Sequence, residues 1–305
     1  MKHFIDLADW SSDALHQLID DALRLKAEWQ NGGNPPYLQG KVLAMVFQKP
    51  SLRTRVSFDV GIQHFGGHAI MLGPDEIGLG KRESIADIAR VLSGYAQGIM
   101  ARVFDHDHLL QLAQWSRVPI INGLSDEQHP CQAMADILTL REHFGRVSGL
   151  RIAFIGDGNN VAASLAQAAG HFGAHFSIAT PPGYTLPEAM LDRIGALMQA
   201  HGGSLRMFHD PAEAVADADC VYTDTWVSMG QEVEAATRRQ AFAQYQVNAD
   251  LMRRAPSHAV VLHDLPAYRG YEITDEVADG AQSLIFQQAE NRLHAQKAIL
   301  LKLLL

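Results

Sequence analysis

Val42-Leu43-Ala44-Met45-Val46-Phe47 runs directly into Gln48-Lys49-Pro50-Ser51-Leu52-Arg53-Thr54-Arg55. The first six residues are apolar on every position, which suits a strand buried on both faces. Proline then blocks continuation, and Ser51 is a good helix N-cap ahead of a helical pattern. Amides at a helix start have no intrahelical partner, and the helix dipole favours an anion there. Strand, loop and helix N-terminus together make a phosphate site. Arg53 and Arg55 add guanidinium forks that match phosphate oxygens, Thr54 adds a hydroxyl, and Leu52 contributes its place in the turn. No GxxxxGK[ST] is present, so a small phosphate ester fits better than a nucleoside triphosphate. Read alone, the same residues also describe an ordinary capped helix with two exposed arginines.

The strand-then-helix alternation extends outward along the chain. Strands are predicted at Val42–Phe47, His68–Leu72, Gly98–Val103, Val118–Ile121, Leu150–Ile155, His175–Ala179, Ser204–Phe208, Asp219–Thr223 and Ala259–Leu262. Helical spacing lies between them, as in Ser84–Leu92, Ala133–Phe144, Val161–Phe172 and Pro187–Ala200. This pattern predicts an α/β protein of two doubly wound parallel-sheet domains. The polar, glycine-bearing Gly145-Arg146-Val147-Ser148-Gly149 marks the boundary, giving domains over 1–145 and 146–282. A C-terminal helix over about 283–305 carries an apolar stripe that would pack back on the first domain. In such folds ligands bind beyond the strand carboxyl ends. The residues there are Lys49–Arg55, Arg102, Asn122–Gln132, Gly156–Asn160, Asp224–Gly230 and His263–Arg269.

Composition narrows the classes. The chain has 305 residues, 47% hydrophobic and 19% charged, and a formal net charge of −9. That charge argues against broad nucleic-acid binding while leaving room for a local basic pocket. No apolar run reaches the ~20 residues needed to span a bilayer. The opening residues lack the apolar core of a signal peptide, and the two cysteines, Cys131 and Cys220, form no CxxC pair, so a reducing cytoplasm is expected. Fifteen histidines include no HExxH. Asp105-His106-Asp107-His108 stands where a helix should begin and reads as a solvated cap rather than a metal site.

Several motifs together resemble the aspartate/ornithine carbamoyltransferase family. Ser51-Leu52-Arg53-Thr54-Arg55 is similar to its carbamoyl-phosphate motif and His129-Pro130-Cys131-Gln132 to its H-P-x-Q. Asp224-Thr225-Trp226-Val227-Ser228-Met229-Gly230 resembles the D-x-W-x-S-M-G signature of the ornithine branch, and Glu290-Asn291-Arg292-Leu293-His294 its E-N-R-x-H. Gly156-Asp157-Gly158-Asn159-Asn160-Val161 resembles the loop that opens the amino-acid domain. The resemblance implies carbamoyl transfer from carbamoyl phosphate to L-ornithine, giving L-citrulline and phosphate. It also implies a homotrimer with sites at subunit interfaces, and no metal or organic cofactor. By the same resemblance Ser51, Leu52, Arg53, Thr54 and Arg55 hold the phosphate. Arg102, His129 and Thr54 polarise the carbamoyl oxygen, Gln132 orients the carbamoyl NH2, and Arg292 closes that pocket. Asn160, Asp224, Ser228 and Met229 bind the amino and carboxylate groups of ornithine, with Asp264 and Leu265 toward its side-chain amine.

Two positions depart from the family. The ornithine branch reads H-C-L-P where this chain has His263-Asp264-Leu265-Pro266. An alkyl amine has a pKa near ~10.4, so freeing it near neutral pH costs roughly 4 kcal/mol. A carboxylate at Asp264 stabilises the ammonium and raises that cost, or accepts the proton if burial or Asp224 raises its own pKa. The reading is that Asp264 tightens binding of the cation and moves the pH optimum. Gly78 stands where many relatives place a glutamine that reaches a neighbouring subunit, with Lys81 and Arg82 as substitutes. Each motif residue also has a plain structural reading: His129 as a turn residue before proline, Asp224 as a cap, Arg102 as a surface charge, Met229 as packing. Three rival functions remain: a carbamoyltransferase for another amine, a non-catalytic carbamoyl-phosphate-binding homologue, and a nucleotide-dependent oxidoreductase. The last is weakened because Val161 stands at the third glycine position and Ala179-Thr180 brings no acid for a ribose.

Overall fold

The computed structural model describes residues 2–80, 82–228 and 231–305. The chain forms two compact units, Met1–Leu138 with Glu290–Leu305, and Thr139–Ala289. Both carry one parallel sheet with helices, an α/β architecture.

Unit 1 contains α1 (Ser12–Gln30), β1 (Val42–Phe47), α2 (Leu52–Gln63), β2 (His68–Leu72), α3 (Pro74–Ile77), α4 (Ile85–Tyr95), β3 (Gly98–Arg102), α5 (Asp107–Trp115), β4 (Ile120–Leu124) and the start of α6 (Pro130–Phe144). Its sheet order is β2-β1-β3-β4, all parallel. The order reverses between β1 and β3, so the loops leaving those two strands flank the crevice where such sheets bind ligands. The core is aliphatic, built by Val46, Ile99 and Ala101 under Ile88, Leu109 and Leu112.

Most strand ends lie within a residue of the sequence pattern, and the larger difference is at β4. The apolar run at Val118 predicts a strand over Val118–Ile121, whereas β4 is Ile120–Leu124. Pro119 has no N–H to give the ladder, so pairing starts after it. The strand then continues through Asn122-Gly123, a pair that usually signals a turn. Asn122 donates its side-chain amide to Ile5 O at 3.0 Å. Gly123 sits at a register shift, and a Cβ there would lie 2.5 Å from Met100 Sδ, so glycine permits the bulge.

Unit 2 begins with the rest of α6, followed by β5 (Arg151–Ile155), α7 (Asn160–His171), β6 (His175–Ala179), α8 (Glu188–Ala200), β7 (Ser204–Phe208), α9 (Pro211–Val215), β8 (Cys220–Thr223), α10 (Ala235–Ala241), α11 (Ala249–Met252), β9 (Val260–His263), α12 (Asp275–Ala278) and the first residues of α13 (Ile285–Leu304). The sheet order is β7-β6-β5-β8-β9, again parallel, with its reversal between β5 and β8. Its core joins Ile155, Val221 and Val261 to Trp226, Phe242 and Tyr245.

Most of α13 belongs to unit 1. Lys26 on α1 donates to Asn291 Oδ1 at 2.7 Å, and Gly61 on α2 leaves room for Lys297, Leu293 and Leu300. The C-terminal helix thus packs on the first unit, as its apolar stripe requires. No described helix is long and apolar enough to cross a membrane.

Candidate active site

The loop after β1 folds as its sequence dictates. Ser51 is the N-cap of α2 and accepts from the Thr54 amide at 3.3 Å. Its hydroxyl also donates to Thr54 Oγ1 at 3.1 Å. Thr54 is fully buried, Arg53 is half-buried, and Leu52 and Arg55 are exposed. Arg102, the last residue of β3, pairs in register with Phe47 and is buried, so it is not a surface charge.

His129 ends a tight turn. Ser125 N donates to Gln128 O at 3.0 Å, and the Ser125 hydroxyl accepts from Gln128 N at 3.2 Å. The imidazole of His129 is buried, and Arg292, Arg102 and Arg53 surround it electrostatically. Burial first, then those three guanidiniums in that order, hold its pKa well below the usual 6.5. It is therefore neutral at physiological pH and can donate a hydrogen bond without carrying charge.

Arg292 on α13 links the other motifs of this unit. One arm donates to Gln132 Oε1 at 2.7 Å and the other to Thr54 Oγ1 at 3.1 Å. The Gln132 amide is turned the other way by Asp136, whose Oδ1 accepts from Nε2 at 2.8 Å. Residues separated by more than two hundred positions thus share one relay, Asp136–Gln132–Arg292–Thr54–Ser51. Asp136 was not among the residues singled out by sequence, although its i,i+4 spacing from Gln132 on one helix face is a readable signal.

Two expectations change. The cap at Asp105–His108 is not wholly solvated: Asp105 caps the amide of Asp107 at 2.9 Å, but His106 is buried with Nδ1 2.7 Å from Ser125 Oγ. Among the described residues no group of three or more His, Cys, Asp or Glu stands together as a metal site. Gly78 closes α3 with φ +51°, and a Cβ there would lie 2.7 Å from Arg82 Cβ. This backbone has no room for the family glutamine. Arg82 is exposed, its guanidinium 3.5 Å from Glu76 O, and Lys81 lies outside the described residues.

In unit 2 the loops after β5, β8 and β9 carry the polar residues. Gly158 approaches the chain so closely that a Cβ would meet Leu186 N at 2.5 Å. Asn159 caps α7 and donates Nδ2 to Asp224 Oδ2 at 2.8 Å. The neighbouring Asn160, expected to bind substrate, is the first residue of α7 and half-buried. Asp157 is paired with Arg238 at 2.7 Å, and Arg238 also donates to Trp226 O at 3.1 Å, tying together the loops after β5 and β8. Burial raises the Asp157 pKa, and Arg238 opposes that rise. Ser228 N donates to Gln231 Oε1 at 3.1 Å; Met229 lies outside the described residues.

Asp224 follows β8 and is buried. Burial, and then the charge of Asp264, push its carboxyl up to about 7, against smaller opposing effects from His263, the Thr225 backbone and Asn159. His263 ends β9. Its Nδ1 accepts from Leu265 N at 2.8 Å, so Nε2 carries the proton and donates to Glu272 Oε1 at 3.1 Å. Leu265 has φ +64° and precedes a cis peptide bond to Pro266.

Comparison with known proteins agrees with this geometry. Residues 2–142 match the carbamoyl-P binding domain of aspartate/ornithine carbamoyltransferase, and residues 148–303 match its Asp/Orn binding domain. An ornithine carbamoyltransferase of Anoxybacillus flavithermus is 50% identical over 99% of this chain and 96% of its own length. One from Mesorhizobium japonicum is 51% identical over 98% and 97%. The solved ornithine carbamoyltransferase of Pyrococcus furiosus superposes with a TM-score of 0.96 at 47% identity, covering 98% of this chain and 96% of that one. With both domain matches in place and the motif residues of each unit gathered at its sheet's reversal point, the chain belongs to the aspartate/ornithine carbamoyltransferase family.

Proposed function

We propose that this protein transfers the carbamoyl group of carbamoyl phosphate to the side-chain amine of L-ornithine, releasing L-citrulline and phosphate, within arginine metabolism. The observation that carries the donor half is Arg292 bridging Thr54 and Gln132 beside a neutral, buried His129. The start of α2, with Ser51, Leu52, Arg53, Thr54 and Arg55, holds the phosphate. Arg102, His129 and Thr54 donate to the carbamoyl oxygen as it gains charge; one such donor is worth about 10²–10³ in rate. Gln132 accepts from the carbamoyl NH2, its orientation fixed by Asp136. Asn160, Asp224, Ser228 and Met229 bind the amino and carboxylate groups of ornithine, and Asp264 and Leu265 lie at the side-chain amine. The reaction needs positioning and a deprotonated amine, and these residue types supply both.

The working assembly in this reading is a cytoplasmic homotrimer. Exposed Ile70 and Met71 on the edge strand β2 suit burial against another copy, and sedimentation velocity tests it. The deciding assay is colorimetric detection of ureido product with carbamoyl phosphate and ornithine, putrescine, lysine or N-acetylornithine. Turnover of ornithine is expected; turnover of another amine with none of ornithine would reassign the acceptor. Binding of carbamoyl phosphate by calorimetry with no product from any amine would mark a non-catalytic homologue.

A further inference from the structure

β5 and β8 are adjacent parallel strands, with Ile155 opposite Thr223 at their carboxyl ends. The Thr223 hydroxyl donates to Ile155 O at 2.7 Å, which pins the two strand ends together. The loop over residues 156–159 therefore leaves the sheet beside Asp224, at the point where the strand order reverses. That loop is held at three places. Asp157 pairs with Arg238, Gly158 N donates to Tyr184 O at 2.8 Å, and the Asn159 side chain caps α7.

The cap decides which way the Asn159 amide faces. Its Oδ1 accepts from the Val161 and Ala162 amides, both at 3.0 Å, and only the oxygen of the amide can accept there. Nδ2 must then point away from the helix, and it donates to Asp224 Oδ2 at 2.8 Å. Serine, threonine and aspartate also cap helices, but none of them brings a side-chain N–H to a second partner. Capping alone accounts for the Oδ1 contacts and not for the bond to Asp224.

Asp224 is buried, and burial together with the charge of Asp264 pushes its carboxyl toward the neutral form, against His263, the Thr225 backbone and Asn159. A neutral carboxyl holds an ammonium poorly. A donor fixed on one oxygen favours the ionised form and sets the orientation of the carboxylate. We propose that Asn159 is a positioning residue for substrate binding, holding Asp224 so that its carboxylate receives the α-ammonium of the amino-acid substrate. The sequence motif points only to its neighbour Asn160. The inference rests on the function proposed above and adds a residue to its acceptor half.

The test compares wild type with Asn159→Ser and Asn159→Ala. Serine keeps a cap on α7 and loses the N–H to Asp224; alanine loses both. Steady-state kinetics with ornithine are combined with inhibition constants for two analogues. 2-Aminopentanoate keeps the α-ammonium and lacks the side-chain amine, whereas 5-aminopentanoate keeps the side-chain amine and lacks the α-ammonium. Both substitutions should raise KM for ornithine and the inhibition constant of 2-aminopentanoate by about 10-fold, as for loss of a hydrogen bond to a charged group. kcat should change by less than about threefold, because the α-ammonium takes no part in the bonds that change. The inhibition constant of 5-aminopentanoate should stay within about twofold, since it has no group for Asp224 to hold at that end. The thermal midpoint should fall by roughly 2–4 °C in the alanine protein alone. Should the serine protein fail to fold, Asn159→Thr keeps a cap and reads the same difference. An equal rise for both analogues would mark a general distortion of the site, and no rise for either would mark a cap and nothing more; each overturns the proposal. Absence of ureido product from wild type with every amine would refute the proposed function itself, and this role with it.

Discussion

Replacing Arg292 by lysine separates geometry from charge. The arginine is buried and makes two directed bonds, to Gln132 Oε1 at 2.7 Å and Thr54 Oγ1 at 3.1 Å. A lysine ammonium keeps the charge but is a compact point on a shorter stem and cannot fork to both acceptors. One of them therefore loses its donor in a place water does not reach. A hydrogen bond to a charged group is worth about 1.5–3 kcal/mol, so the expected loss is about 2 kcal/mol. For a unit of this size that lowers the thermal midpoint by roughly 4–8 °C. If the same bond shapes the carbamoyl-phosphate pocket, affinity for that substrate falls by roughly 30-fold. Differential scanning fluorimetry and steady-state KM at saturating ornithine measure the two. Because charge is retained, the His129 imidazole should stay neutral in Arg292→Lys. In Arg292→Met one of its three positive neighbours is gone, and its NMR titration should move toward 6.5. A lysine protein within 1 °C of wild type in midpoint and about twofold in KM would refute the relay as a structural or binding element.

Three further outcomes are expected. Both cysteines are buried and the Cys131 thiol is pushed up to about 12, so native protein treated with iodoacetamide should stay active and unlabelled by mass spectrometry; labelling with loss of activity would contradict this. Lys297 is fully buried against Trp29 and Phe65, and burial lowers its pKa from 10.5 to about 8. The unfolded chain then binds a proton that the folded chain has released between pH 8 and 10.5, so folding gains stability as pH rises through that window. The midpoint advantage of Lys297→Met over wild type should therefore shrink from pH 8 to 10, and a constant difference would refute the assignment. Gly78→Gln should cost about 1–2 kcal/mol, because φ is +51° and its Cβ meets Arg82. Restored affinity for carbamoyl phosphate at unchanged stability would show that this loop takes another backbone.

The sheets were legible because parallel strands buried on both faces leave apolar runs, as β1, β5 and β8 do. Register was less so. Asn122-Gly123 has the look of a turn, and only the close approach of Met100 shows why it is a bulge within β4. His106 looked solvated because its neighbours are charged; its partner Ser125 lies nineteen positions on, beyond any local pattern. The same limit hid the ion pair of Arg238 with Asp157, eighty-one positions apart.

Position 264 shows what the fold adds to a motif. A departure from H-C-L-P was visible in the letters, and with Asp264 taken singly its effect could be argued either way, as a tighter hold on the ammonium or as a base. Strand order adds a neighbour, because β8 and β9 are adjacent and their last paired residues, Thr223 and His263, put Asp224 beside Asp264. A lone carboxylate would be ionised at neutral pH and would only hold the cation. Beside Asp224 its charge also adds to the effect of burial, which together push the Asp224 carboxyl up to about 7. Position 264 thus acts on Asp224 across two neighbouring strands, an effect that the letters of the motif do not carry.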